Sequence, residues 1–352
     1  MKKQTKKHKL SFYRRKPFLW TVGIIGGVAI FLLVAFRVSP WPGALVIRAV
    51  FNQGDVKTLQ ALEKHTPEVP ITEISNQQYR QADDDANLDV YFPQSIVNST
   101  THLPLIVWTH GGAWVSGNKE NVEPYYKLLA AQGFTVISAG YSLAPEHTYP
   151  TAVFQLNDMY AYIQKNADRF HVDVAKIILA GDSAGSQLSS QMAALITNPD
   201  YAQEVGITPN LQPSQLRGIV LNCGIYRMHD LAHPDPTLPR LIGWGTDVSV
   251  WAYSGTRDFS APIIRQMSAY YHTTKDFPPT YITGGNADPL TQVQSMPFAE
   301  KLASHHVEVT KLFYPANHQP ALPHEYQFNL DNDDGKNAFQ KTVEFAKAKT
   351  AQ

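Results

Sequence analysis

Hydrophobic positions along this chain fall into three regimes. Residues 18–36 carry no charge in nineteen consecutive positions. At about 1.5 Å of rise per residue, a helix of that length spans roughly the hydrocarbon core of a bilayer. It lacks the polar face that a helix on a globular core would show. Residues 44, 45, 47, 50 and 51 are apolar at helical spacing and predict a short amphipathic helix. Residues 64–87 read as polar and irregular, with the acidic run Asp83-Asp84-Asp85 near their end. From residue 88 onward, short apolar runs alternate with longer helix-period segments. The runs 88–92, 105–109, 135–140, 176–181, 218–223, 280–284 and 307–314 read as strands. The segments 122–132, 152–170, 184–197, 293–305 and 336–347 read as helices. That order predicts an α/β fold, a mostly parallel sheet with helices on both faces. Residues 226–275 interrupt the alternation and hold Trp244, Trp251, Tyr253, Phe259, Tyr270 and Tyr271. Such an insertion forms either a cap over a pocket or a surface excursion with its own small core.

Charge sharpens the reading of the amino end. The chain has 352 residues, 30 Lys+Arg and 30 Asp+Glu, for a net charge of zero. Residues 1–17 nevertheless hold eight Lys/Arg and no acid. A basic tail directly before an apolar run stays cytoplasmic, which places everything after Arg37 outside the cell membrane. The run is longer than the roughly 7–15 residues of a cleaved signal's apolar region. The exit Arg37-Val38-Ser39-Pro40 also lacks a small-residue cleavage site. An uncleaved signal anchor is expected over 18–36, with a membrane-proximal segment over 37–84 and an α/β domain over 85–352. The balanced charge argues against nucleic acid as a partner. Cys223 is the one cysteine, so no intramolecular disulfide or Cys-rich zinc module can form. It is expected to be a buried apolar residue. No phosphate loop or dinucleotide fingerprint occurs, so no metal, nucleotide or flavin cofactor is expected.

Two glycine motifs carry chemistry. Gly181-Asp182-Ser183-Ala184-Gly185 follows one strand and opens a helix. This is the G-x-S-x-G pattern in the strand–turn–helix setting it requires. The turn leaves no room for side chains two residues either side of the serine, and it lifts Ser183 onto the carboxyl edge of the sheet. His110-Gly111-Gly112-Ala113-Trp114 follows another strand. Its glycines free backbone N–H groups to face an oxyanion, whose charge grows only in the transition state. Gly111 and Gly112, with Ala184 from the helix start, are the expected donors.

These motifs resemble the hormone-sensitive-lipase-like branch of the α/β-hydrolases, which includes bacterial carboxylesterases. The stretch between them, Tyr141-Ser142-Leu143-Ala144-Pro145-Glu146 with Tyr149-Pro150 and Asp158, resembles the family's, and Asn286-Ala287-Asp288-Pro289-Leu290 resembles its acid loop. The resemblance covers about residues 85–350 and departs from the family at the amino end. It implies an α/β-hydrolase fold and ester hydrolysis by a Ser-His-Asp triad. Asp288 follows a strand, at the same sheet edge as Ser183, and the order serine, acid, histidine suits the fold. The histidine has two candidates. His324 is followed two places on by Tyr326, the family's aromatic mark, and stands at the better distance from the last helix. His318 lies closer to Asp288 in sequence but lacks the aromatic. His324 is preferred, with His318 as the alternative. Asp182 is expected to turn away from the reacting centre.

The expected activity is that of a serine hydrolase cleaving a small-molecule carboxylic ester through an acyl-enzyme. An amidase, deacetylase or peptidase could use the same residues, because one constellation serves many acyl transfers. A tethered binding protein without catalysis is the remaining reading.

Overall fold

The protein is described from a computed structural model that covers residues 10–232 and 240–351, with side chains from Trp20 onward. The basic tail expected over 1–17 therefore lies outside the described side chains.

The first helix, α1 (Leu10–Val38), contains the expected apolar run. Its portion Trp20–Val38 is long and apolar enough to cross a membrane, and none of it is buried in protein. Two residues later the chain enters α2 (Trp41–Leu62). This helix is far longer than the short amphipathic element expected around 44–51. Gly43, Ala44, Ile47 and Leu62 on its inner face are buried. An ion pair from Arg48 to Glu146, 98 residues away in the sequence, adds to that contact, at 2.7 Å. Tertiary packing on one face thus extends the helix beyond its apolar stretch.

Eight strands form one sheet: β1 (Ile71–Gln78), β2 (Asn87–Pro93), β3 (Leu103–Thr109), β4 (Thr135–Ala139), β5 (Val172–Asp182), β6 (Leu216–Asn222), β7 (Thr280–Gly284) and β8 (Val309–Phe313). Their spatial order is β1-β2-β4-β3-β5-β6-β7-β8. The β1–β2 and β2–β4 pairs are antiparallel and the other five pairs are parallel. The stretch 64–87, read from sequence as irregular, holds β1. This edge strand pairs only with β2 and has no fully buried residue, so its residues, Ile-Thr-Glu-Ile-Ser-Asn-Gln-Gln, carry little apolar pattern.

The remaining helices are α3 (Glu123–Ala131), α4 (Thr151–Lys165), α5 (Ala184–Thr197), α6 (Pro199–Val205), α7 (Arg240–Ser254), α8 (Pro262–Gln266), α9 (Met296–Ser304) and α10 (Asp333–Thr350). The helix expected over 152–170 stops at Lys165, and the one expected over 293–305 starts with a π turn at Thr291–Ser295. Strand residues alternate between two buried layers. Leu105 and Val107 join the core beneath α4, α5 and α9, whereas Ile106 and Trp108 join the core beneath α3 and α10. Both faces being covered explains why the central strands read as unbroken apolar runs. The insertion 226–275 contains α7, α8 and two short 3-10 turns, with residues 233–239 outside the described residues.

The topology positions the site. From β3 the chain moves to β4 on one side, then crosses back to β5 on the other, so Thr109 of β3 lies beside Gly181 of β5. The carboxyl ends of β3 and β5 flank the switch point, where open α/β sheets place their ligands.

Candidate active site

The turn after β5 is built by close contact. A Cβ on Gly185 would stand 1.9 Å from the Thr109 carbonyl oxygen, and one on Gly181 would stand 2.5 Å from the Gly185 carbonyl carbon. Glycine at both places lets the start of α5 press against the end of β3. Ser183 between them has φ 49° and ψ −119°, a conformation that costs about 1–3 kcal/mol for a non-glycine residue. Its N–H is held by the Asn222 carbonyl at 2.9 Å. Behind it, every residue of α5 is buried, polar ones included. Ser186 and Ser189 bond the carbonyls of Gly181 and Ala180, and Gln187 bonds Trp114, Gln191 and Met267. These bonds satisfy the polar groups of a fully enclosed helix.

Ser183 is 7% exposed. Its Oγ is 3.0 Å from His324 Nε2, and His324 Nδ1 is 3.0 Å from Asp288 Oδ2. Asp288 is buried, and its other oxygen accepts the Leu290 N–H at 2.9 Å. His318 stands apart from this group. Its Nε2 pairs with Asp334 at the start of α10, 2.9 Å away, and its ring packs against Tyr314. Burial pulls the His324 imidazole down, but the Cys223 thiol and the Asp288 carboxylate outweigh it and hold the group well above its ordinary value. Burial pushes the thiol itself up to about 11. At neutral pH it carries no charge, so Asp288 is the lasting influence on the imidazole.

The loop after β3 departs from expectation at one position. The Gly111 N–H is donated to Asp182 Oδ2 at 2.8 Å, so this donor is committed and does not face the site. Asp182 accepts the Trp108 indole N–H on its other oxygen at 2.7 Å. Its carboxyl thus turns from Ser183, as expected, and anchors the loop from below. Among the described residues, the N–H groups of Gly112, Ala113 and Ala184 have no protein acceptor. Ala113 was not among the expected donors, because its side chain is not that of a glycine. Yet its φ is 51°, and Gly112 before it has φ 106°, where a Cβ would meet the Ser116 carbonyl oxygen at 2.1 Å. His110 is structural. Burial lowers its imidazole to about 4, its ring stacks on Tyr141, and its Nδ1 lies 2.7 Å from the Gly111 carbonyl.

A polar cavity of about 20 Å³ lies behind the loop and is lined by Asp55, Asp182 and Glu325 among others. Burial, followed by the charge on Glu325, pushes Asp182 well above the usual carboxylate range and Asp55 to about 6. Trp114, at the far end of the loop, stacks on Tyr253 of α7 with centroids 5.2 Å apart.

Sequence comparisons agree with this architecture. A family profile described as alpha/beta hydrolase fold matches residues 106–321. The chain belongs to the α/β-hydrolase family. It is 30% identical over 206 residues to Esterase LipC of Mycobacterium tuberculosis, a match covering 58% of this chain and 49% of that one. It therefore spans about half the length of that relative. It is 26% identical over 263 residues to an acetyl esterase of Salmonella schwarzengrund, covering 71% and 73% of the two chains. In three dimensions it is similar to Esterase B of Lactobacillus rhamnosis, with TM-score 0.75 and 20% identity over 89% and 96% of the chains.

The donor atoms of Cys223, Asp288 and His324 lie within 4.8 Å of one another, close enough to share a metal ion. Both imidazole nitrogens already face Ser183 and Asp288, so a metal ion there would displace one of those contacts.

Proposed function

We propose that this chain is a membrane-anchored serine carboxylesterase. The observation that carries the reading is the single imidazole of His324, 3.0 Å from both Ser183 Oγ and Asp288 Oδ2. Ser183 Oγ attacks the ester carbonyl carbon while His324 Nε2 takes its proton. Asp288 keeps the imidazole oriented and stabilises it when charged. The free N–H groups of Gly112, Ala113 and Ala184 donate hydrogen bonds to the negative oxygen of the tetrahedral intermediate. His324 then passes the proton to the leaving alcohol, and Ser183 keeps the acyl group. Water, deprotonated by the same imidazole, attacks the acyl-enzyme and restores Ser183. No metal or other cofactor enters any step.

Relatives named esterase and acetyl esterase support an ester over an amide as substrate. The aromatic insertion 226–275 acts as the cap, since its Tyr253 stacks on Trp114 at the edge of the oxyanion loop. The apolar part of α1 anchors the chain, the basic tail before it stays cytoplasmic, and the hydrolase domain lies outside. The test is a series of p-nitrophenyl acyl esters of rising chain length beside the matching p-nitroanilides. Turnover of esters with weak or no anilide cleavage is expected. Preferential cleavage of the anilides would replace the esterase reading with an amidase.

A further inference from the structure

The helix α2 has two apolar faces, and protein covers only one. On the covered face, Ala44 and Ile47 are buried. On the other, Trp41, Leu45, Val46 and Val50 are 44–61% exposed. Positions 41, 45 and 49, with 46 and 50 beside them, share one side of a helix. The same side becomes polar further along, at Gln53, Lys57 and Gln60, with Val56 among them. The apolar part therefore ends about 14 Å from the start of the helix, at 1.5 Å per residue.

That gradient begins at α1. Only Ser39 and Pro40 separate the two helices, so the first turns of α2 lie next to the end of the apolar span. The start of α7 meets them there. Trp244 packs against Phe36 of α1 with ring centroids 6.4 Å apart, and Val248 sits against Gly43 of α2. One turn before Trp244, Leu241 is 72% exposed and Ile242 is exposed as well. Arg257 joins the same corner, donating to the Phe36 carbonyl at 3.3 Å while its guanidinium stacks on Trp251. Single exposed apolar side chains are ordinary, whereas a contiguous patch marks an interaction surface.

We propose that the outward face of the first three turns of α2, together with the start of α7, rests on the lipid bilayer. The proposal deepens the membrane-anchor reading and rests on it. The bilayer is the occupant because the patch starts within a few residues of the end of the apolar span, just past Arg37, Ser39 and Pro40, and fades with distance from it. Its cation at the rim suits lipid phosphate. Interfacial helices bury such a face about 5–10 Å into the headgroup boundary. The inner face of α2 carries the consequence for catalysis. Arg48 donates to the carbonyls of Val115 and Ala144 at 2.6 and 2.8 Å, and Ser116 donates to Asn52 at 2.8 Å. The lipid-facing helix is thus the one that clamps the loop bearing Gly112 and Ala113.

The test uses the full chain in vesicles of phosphatidylcholine with phosphatidylglycerol. Four single variants, Ile25→Cys, Leu45→Cys, Val50→Cys and Gln60→Cys, are each labelled with an environment-sensitive fluorophore. The native Cys223 is buried and stays unlabelled. Quenching by nitroxide-bearing lipids is then read. Ile25, Leu45 and Val50 should be quenched several-fold more than Gln60. Quenching at Ile25, with Leu45 and Val50 at the level of Gln60, would overturn the docking surface and leave the anchor standing. Quenching at none of the four would overturn both. Quenching at Leu45 and Val50 without Ile25 would overturn the anchor and, with it, the proposal that rests on it.

Discussion

Replacing Asp182 by asparagine tests whether the buried carboxyl sets the oxyanion loop. Asp182 accepts two buried donors, the Gly111 N–H at 2.8 Å and the Trp108 indole at 2.7 Å. An asparagine amide has one acceptor oxygen, so one of those donors loses its partner. A buried donor left unpaired costs about 1–3 kcal/mol. At the roughly 2–4 °C per kcal/mol of large domains, that lowers Tm by about 2–12 °C. The kinetic cost follows from geometry. Gly111 adjoins Gly112 and Ala113, whose N–H groups have no other acceptor, so a loop released at Gly111 moves both. Misplacing one oxyanion donor costs about 10²–10³ in kcat. Asp182→Asn should therefore lower kcat by at least about tenfold. It should leave KM nearly unchanged, because the donors act mainly on the transition state. Trp108→Phe is the control. It removes the indole donor yet leaves Asp182 paired with Gly111, so it should lower Tm and spare kcat. Steady-state hydrolysis of p-nitrophenyl acetate and thermal unfolding in detergent read both quantities. A folded Asp182→Asn protein with wild-type kcat would refute the reasoning.

Three other substitutions have expected outcomes. His324→Ala should lose about 10⁴–10⁶ in kcat, the scale of triad losses. His318→Ala should keep its kcat and lose only about 0.5–1.5 kcal/mol from its bond to Asp334, so a dead His318→Ala with an active His324→Ala would reverse the assignment. Asp55 has a folded-state value of about 6, above its unfolded one, so its neutral form is favoured in the fold and stability is lost as pH rises from about 4 to 6. The full shift corresponds to about 3 kcal/mol, and partial exposure screens it to about 1–2 kcal/mol. Asp55→Asn removes that loss, so its Tm should exceed wild type by several degrees at pH 7.5 and match it at pH 4; equal gains at both values would contradict the burial argument.

Much of the site was legible because its chemistry leaves a local trace. Gly181 and Gly185 are glycines for want of space, and a pentapeptide records that. The alternating layers of β3 and β5 appear as apolar runs because both faces are covered. The strand β1 left no such trace, since an exposed edge strand needs no apolar alternation. The extent of α2 was hidden because contacts that hold it, Arg48 to Glu146 among them, join positions nearly a hundred residues apart. One of the three expected oxyanion donors, Gly111, is committed elsewhere, and the sequence hid this for a related reason. A glycine signals conformational freedom but does not say whether its N–H is engaged. Gly111 is spoken for by Asp182, and Ala113 holds a positive φ without being glycine.

The proposed chemistry depends above all on Ser183 acting as a nucleophile activated by His324. Incubation of the full-length protein with a fluorophosphonate, followed by peptide mass analysis, measures that alone and needs no knowledge of the natural substrate. One adduct per chain is expected, on the peptide containing Ser183, and its rate of formation should collapse in His324→Ala but persist in His318→Ala. An unlabelled wild-type chain, or an adduct on any residue other than Ser183, would contradict the account.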